Sequence, residues 1–246
     1  MPKYSADEIA NKISQFSNWY QTIEVAPGIF TPGRRNCQEI LNMLDLPTDC
    51  SGLRVLDIGA SDGFFSIALE KRGASEITAI DRLDSEKSGF PILKEIFDSK
   101  VNYVNESVYN ISSERYGKFD IVLCLGVFYH LRHPLLALER IREVTKDLLY
   151  LESFAIDNRF VTRNGSTPLS GISQDLLTVP IMQFYPRNEL DNDYSNWWGP
   201  NTACLRDMLA STNFTVIWKK TVGDRVVFKC KTNSDLVTEF WWKNYG

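Results

Sequence analysis

Between residues 53 and 151, short β-branched runs alternate with segments of helical period, and this alternation constrains the fold more than any other feature of the chain. Leu53–Ile58, Ile77–Ile80, Val101–Val104, Phe119–Leu125 and Leu148–Leu151 read as strands. Residues 64–72, the stretch after Pro91 with Leu93, Ile96 and Phe97, and the stretch after Pro134 with Leu135, Leu138 and Ile141 read as helices. Strands that alternate with helices build an α/β layer structure around a mainly parallel sheet, joined by right-handed crossovers.

The flanks are organised differently. Ser5-x-x-Glu8 is a capping box, and Ile9, Ile13, Phe16 and Tyr20 come after it at helical spacing, which predicts a helix over about 6–21. A second helix is expected over about 35–45, so residues 1–50 read as an N-terminal helical extension and 51–246 as the main domain. Residues 154–200 break the strand–helix rhythm with Asn, Gly, Ser, Pro and clustered aromatics, as expected of a lid insertion. Asn201 then caps a helix, and residues 214–219 and 225–230 form a hairpin around Gly223-Asp224. The closing Phe240-Trp241-Trp242 reads as a docked tail or an interface.

Composition narrows the function. The 246 residues carry 27 basic and 31 acidic side chains, a net charge of −4 that disfavours a nucleic-acid partner, whose binding draws on Lys and Arg neutralising phosphates. Cys37, Cys50, Cys124, Cys204 and Cys230 are odd in number and lack CxxC spacing, so neither a metal site nor a disulfide framework is expected, and a cytoplasmic location is the simple reading. The acidic start of the chain does not read as a signal peptide, and no apolar run is long enough to span a membrane. Self-association is left open.

The most informative segment is Val55-Leu-Asp-Ile-Gly-Ala-Ser-Asp-Gly-Phe-Phe-Ser66. A strand runs into Gly59, the chain turns, and a helix begins after Gly63, the arrangement by which backbone approaches a ligand closely. No Lys-Ser or Lys-Thr comes after Gly63, which excludes a phosphate-cradling P-loop. Asp81 ends the next strand, where a carboxylate can accept both hydroxyls of a ribose. Asp57 and Asp62 would repel a pyrophosphate yet can hydrogen-bond an ammonium or an amide, so an adenosyl ligand fits better than a dinucleotide.

The sequence Asp57-Ile-Gly59-x-x-x-Gly63, then Asp81, then Phe119–Gly126 resembles the class I S-adenosylmethionine (SAM)-dependent methyltransferases. The resemblance implies a Rossmann-like seven-stranded sheet with helices on both faces and the last strand antiparallel. It also implies SAM as cofactor, with Gly59 and Gly63 near the methionine part and with Asp57 and Ser61 (where many members have a third glycine) among the cofactor-binding residues. Asp81 and Arg82 then fall on the ribose side, Val108 and Tyr109 near adenine, and Leu125 at the end of the fourth strand.

A narrower resemblance joins Leu125-Gly-Val-Phe-Tyr-His-Leu-Arg-His-Pro134, Thr31-Pro-Gly33 and the Phe184–Asn201 region to the tRNA wobble-uridine carboxymethyltransferases. It implies that Tyr129 and Arg225 contact the cofactor. That family holds the extra carboxylate of its cofactor with a lysine ahead of the SAM domain, but no lysine stands between Lys12 and Lys71, where only Arg34 and Arg35 offer a replacement.

The acceptor side is drawn from the remaining polar and aromatic residues. His130 is the candidate base or else satisfies a backbone group, its neighbour Tyr129 contacts cofactor or acceptor or else packs under the lid, and His133 either shares the chemistry or caps the helix at Pro134. Glu152 is expected either to bind an acceptor or to pair with an arginine; Trp197 and Trp198 either wall the acceptor pocket or anchor the loop. Arg34 and Arg225 complete the acceptor set. The reading is a SAM-dependent transfer of methyl to an oxygen or nitrogen of a small molecule, with a tRNA wobble-uridine (carboxy)methyltransferase as the alternative.

Overall fold

The computed structural model describes residues 3–233; the Phe240-Trp241-Trp242 segment lies outside them. The chain begins with helix α1 (Ala6–Ser14), started by the expected capping box between Ser5 and Glu8. It ends seven residues short of the expected boundary, because the Trp19 indole folds back and donates to the Ile13 carbonyl at 3.1 Å. Beyond it the chain is extended: β1 (Gln21–Thr22), β2 (Glu24–Ala26), β3 (Ile29–Phe30) and β4 (Arg35–Asn36) make two small two-stranded sheets. The N-terminal region is therefore mixed rather than purely helical, since Thr22, Ile23 and Val25 are β-branched and Gly28 turns the chain at φ 75°. Asn36 caps α2 (Cys37–Met43).

The alternating region comes next: β5 (Arg54–Ile58), α3 (Phe64–Glu70), β6 (Glu76–Asp81), α4 (Phe90–Phe97), β7 (Asn102–Asn105), the single-turn α5 (Ser113–Tyr116) and β8 (Phe119–Leu125). Helix α6 (Pro134–Val144) passes directly into β9 (Thr145–Phe154), a strand longer than the four residues expected. The switch occurs at Thr145, whose backbone is extended and whose hydroxyl donates to the Ile141 carbonyl at 2.6 Å, ending the helix without a loop.

Residues 154–200 hold two short hairpins, β10 (Phe160–Thr162) with β11 (Gly165–Thr167) and β12 (Met182–Phe184) with β13 (Trp198–Pro200). They surround a core of Phe154, Ile156, Leu169, Tyr185 and Leu190. The Asn201 side chain caps α7 (Thr202–Ser211) by accepting from Cys204 N, and its amide nitrogen donates to the Leu176 and Val179 carbonyls at 2.8 Å. Strands β14 (Phe214–Val222) and β15 (Arg225–Thr232) form the closing hairpin about Gly223-Asp224.

Seven strands form one sheet in the order β7-β6-β5-β8-β9-β15-β14. Pairs β5–β6 and β6–β7 are parallel, and the last strand, β15, runs antiparallel to both β9 and β14. The fold is the expected Rossmann-like, mainly parallel sheet with its last strand reversed. The chain divides into two compact units, one holding residues up to Asn110 with Phe119–Leu123, the other Ile111–Lys118 with the chain from Cys124 on. The N-terminal region belongs to the first unit. Among the described residues no helix is long and apolar enough to cross a membrane.

Candidate active site

In the first unit, β5 delivers the chain into a turn whose residues take backbone conformations few side chains tolerate. Gly59, Ser61 and Gly63 have φ of 74°, 53° and 92°. A Cβ on Gly63 would also come within 2.6 Å of the Phe90 ring, so glycine is required there twice over. Asp81, at the end of β6, pins the turn: its Oδ2 accepts from Ser61 N at 2.9 Å and its Oδ1 from Leu83 N at 2.8 Å. Each oxygen has further lone-pair capacity for a ribose hydroxyl. An adenosyl group therefore fits the residues present.

Asp57 lies beneath the turn, buried, with Oδ2 accepting from the Ser66 hydroxyl at 2.7 Å. Burial pushes its carboxyl up to about 6, against the Ser66 hydrogen bond that lowers it. Its atoms are sealed from solvent, and its side-chain bond is the internal one to Ser66. Val108 is buried, Tyr109 half-buried and Arg82 exposed, the last with its carbonyl accepting from Asn105 Nδ2 at 2.8 Å.

The N-terminal segment locks this turn tightly, and no motif in the sequence signals it. Asp62 accepts from Tyr20 N, Gln21 N and Gly89 N at 2.9, 2.7 and 2.8 Å. Gln21 in turn places its side-chain oxygen 3.0 Å from Phe64 N, capping the start of α3. Thr31 holds Gln21 in place by donating its hydroxyl to the Gln21 carbonyl at 2.6 Å, and a Cβ on Gly33 would collide with the Gln21 backbone. Arg34 is exposed, and its backbone N–H donates to the Tyr20 carbonyl.

The second unit gathers the remaining candidates. Leu125 is buried at the end of β8, and Tyr129 and His130 come after it in a short 3-10 turn. Glu152 on β9 is fully buried and both its oxygens accept from Arg225, at 2.5 Å from Nε and 2.7 Å from Nη2. Of the two expectations for Glu152, the structure realises the arginine pair. Burial alone would lower the Arg225 pKa; the Glu152 carboxylate more than offsets this and holds it above the ordinary value. The guanidinium lies over the Tyr129 ring at 4.9 Å, with Nη2 3.4 Å from the phenol oxygen.

His130 Nδ1 lies 3.1 Å from the Ser195 carbonyl oxygen and 3.0 Å from the Ser195 hydroxyl oxygen. That hydroxyl donates to Asp193 Oδ1 at 2.6 Å. A carbonyl only accepts, and the hydroxyl has its proton on Asp193, so Nδ1 carries the imidazole hydrogen. Nε2 is left with its lone pair. Burial holds the His130 pKa below the ordinary value, which keeps the ring neutral at pH 7.

The same loop brings the tryptophans in. Trp197 N donates to the Tyr129 carbonyl at 2.9 Å, and Trp198 Nε1 to the Arg132 carbonyl at 3.4 Å. Trp197 and Trp198 line a cavity of about 290 Å³ together with Arg132, His133 and Phe184. His133 occupies the N-cap position of α6 but makes no side-chain cap bond. Sequence reasoning misses Ser195, Asp193, Phe184 and Arg132 as site residues; the doubled tryptophan is the one signal nearby. Among the described residues no group of three or more His, Cys, Asp or Glu side chains is placed to hold a metal ion.

A Rossmann-like sheet with a reversed last strand, a pinned glycine turn and a strand-end carboxylate define a class I SAM-dependent methyltransferase domain. Residues 30–221 match the family described as "Methyltransferase domain", and the chain belongs to that family. Among curated proteins, the tRNA U34 carboxymethyltransferase of Dichelobacter nodosus is 27% identical over 177 residues, 71% of this chain and 49% of that protein. The ubiquinone biosynthesis O-methyltransferase of Rickettsia typhi is 25% identical over 169 residues, 68% of this chain and 62% of that protein. The chain thus spans about half the length of the curated relatives it matches. Of solved structures, the N-terminal domain of EvdMO1 with S-adenosylhomocysteine bound superposes with a TM-score of 0.63 at 18% identity, covering 94% of this chain and 98% of that one. The 1,6-didemethyltoxoflavin-N1-methyltransferase of Burkholderia thailandensis gives 0.53 at 17% identity, covering 75% and 72%. These likenesses show the fold.

Proposed function

We propose that the protein transfers a methyl group from SAM to an oxygen or nitrogen of a small-molecule acceptor. The observation that carries the reading is the pair of contacts from His130 Nδ1 to Ser195, from which Nε2 is left with its lone pair. SAM, when bound, supplies an electrophilic methyl on a sulfonium. Gly59, Ser61 and Gly63 form the backbone cradle, Asp81 takes the ribose hydroxyls, and Asp57 supplies negative potential for the ammonium. As the acceptor took the methyl from the sulfonium, which would keep the carbon–sulfur electron pair, His130 Nε2 would receive the acceptor proton. Tyr129, held by Arg225, orients the acceptor.

The tRNA reading is favoured by the U34 carboxymethyltransferase relative. The net charge of −4 and the lack of a lysine between Lys12 and Lys71 favour ordinary SAM and a small acceptor. Calorimetric titration with SAM and then carboxy-SAM separates the two. Tighter binding of SAM is the expected result; a preference for carboxy-SAM overturns it and makes tRNA the acceptor to assay.

A further inference from the structure

The cavity in the second unit has a composition that selects its ligand. Phe184 and Trp198 are directly paired across the β12–β13 hairpin, so both project from one face of it, with ring centroids 5.0 Å apart. Trp197 lies nearly parallel to Phe184, 19° between planes and 6.4 Å between centroids. Phe184 is 51% exposed, so its ring presents a face instead of being consumed by the core. The Trp198 indole N–H is spent on a backbone carbonyl, which leaves that ring an apolar wall. The Arg132 guanidinium already lies over Trp197 at 3.8 Å, the placement a planar group adopts on this surface.

The rim is basic. Arg132 and His133 line the cavity, no acidic residue does, and this occurs on a chain of net charge −4. A volume of about 290 Å³ is at the small end for ligand sites, enough for one ring system. A saturated chain would gain only area here, whereas a flat ring gains stacking on the exposed Phe184 ring, and an anion gains the guanidinium edge.

We infer that this cavity receives a flat aromatic ring bearing an anionic group, and that this is the recognition element of the methyl acceptor. The inference rests on the acceptor reading above. The backbone bond from Trp197 N to the Tyr129 carbonyl and the Ser195 contact to His130 tie the loop that walls the cavity to the segment carrying the proposed base.

The test reads binding alone, by quenching of tryptophan fluorescence in the full chain. The probes are 4-hydroxybenzoate and uridine 5′-monophosphate, with cyclohexanecarboxylate and phenol as controls lacking the ring or the charge. Saturable quenching by either probe, with the controls weaker by roughly tenfold, supports the inference; the probe that binds tells a free aromatic acid from a nucleotide. Arg132→Gln is expected to weaken the anionic probe roughly tenfold while leaving phenol unchanged, and Phe184→Ala to weaken both. Both positions are exposed, and a circular dichroism spectrum matching the parent's verifies the fold. No saturation of either probe to about 10 mM, equal binding of cyclohexanecarboxylate, or quenching unaltered in both Trp197→Phe and Trp198→Phe overturns it. SAM titrated separately distinguishes the failures: SAM bound with neither probe bound sinks only the cavity, while probes bound without SAM sink the methyltransferase reading.

Discussion

His130 donates its Nδ1 hydrogen to Ser195, whose hydroxyl is itself committed to Asp193 at 2.6 Å. The relay joins residues 65 positions apart and leaves one tautomer of the imidazole. It also excludes Nδ1 as the base, which makes the proposed role specific to a single nitrogen.

His130→Ala is expected to lower turnover by roughly 10²–10⁴-fold with SAM affinity unchanged, the range for loss of a general base. With a pKa held below 6.5 by burial, the ring is neutral at pH 7, and activity is expected to fall only as acid protonates Nε2. Because the folded value is the lower one, the stability contributed by neutral His130 is present above about 6.5 and is lost as pH drops below it. Nitrogen-15 shifts of the imidazole give the tautomer directly; a hydrogen on Nε2 at pH 7 refutes the assignment.

Asp81→Asn removes a charge that pins Ser61 and Leu83 and that is proposed to take the ribose hydroxyls. SAM affinity is expected to weaken by roughly 1–3 kcal/mol, the worth of charge-assisted hydrogen bonds. Calorimetry measures it, and an unchanged dissociation constant removes Asp81 from the ribose.

Asp57 is expected to make SAM binding pH-dependent. Its folded value of about 6 exceeds the ordinary 3.8, so the contribution of its neutral form to stability is present below 3.8 and is lost as pH rises through 6. A rise from 3.8 to about 6 corresponds to about 3 kcal/mol in the free protein at neutral pH. The SAM ammonium favours the ionised carboxylate, so affinity rises between about pH 5 and 7. Asp57→Asn should flatten that profile; a persisting slope would assign it elsewhere.

Glu152→Gln leaves Arg225 buried without its carboxylate. The expected loss is about 3–5 kcal/mol in chemical denaturation, the range for breaking a buried ion pair from one side. The double change Glu152→Leu with Arg225→Leu is expected to restore most of it, since two apolar side chains carry no desolvation penalty there. A double variant as unstable as the single one would show that the pair contributes more than it costs to desolvate.

The strands of the sheet are legible in the sequence because Val55–Ile58, Ile77–Ile80 and Phe119–Leu125 are apolar runs separated by helical periods, a local property. The glycine turn is legible for the same reason, as its unusual φ values need glycine or a small polar residue at fixed positions. The end of α1 is less so: the chain stays amphipathic to Tyr20, and only the Trp19 indole reaching back to Ile13 stops the helix.

Sequence by itself determined the alternation, the turn and the strand-end carboxylate, because each depends on neighbours a few positions away. Tertiary structure decided that Glu152 serves Arg225, that Asp62 clasps Tyr20, Gln21 and Gly89, and which nitrogen of His130 bears the proton. Each of those outcomes is a hydrogen bond between residues 27 to 73 positions apart. A buried donor or acceptor takes whichever partner the packed chain brings within about 3 Å, and no local pattern of residues encodes that choice.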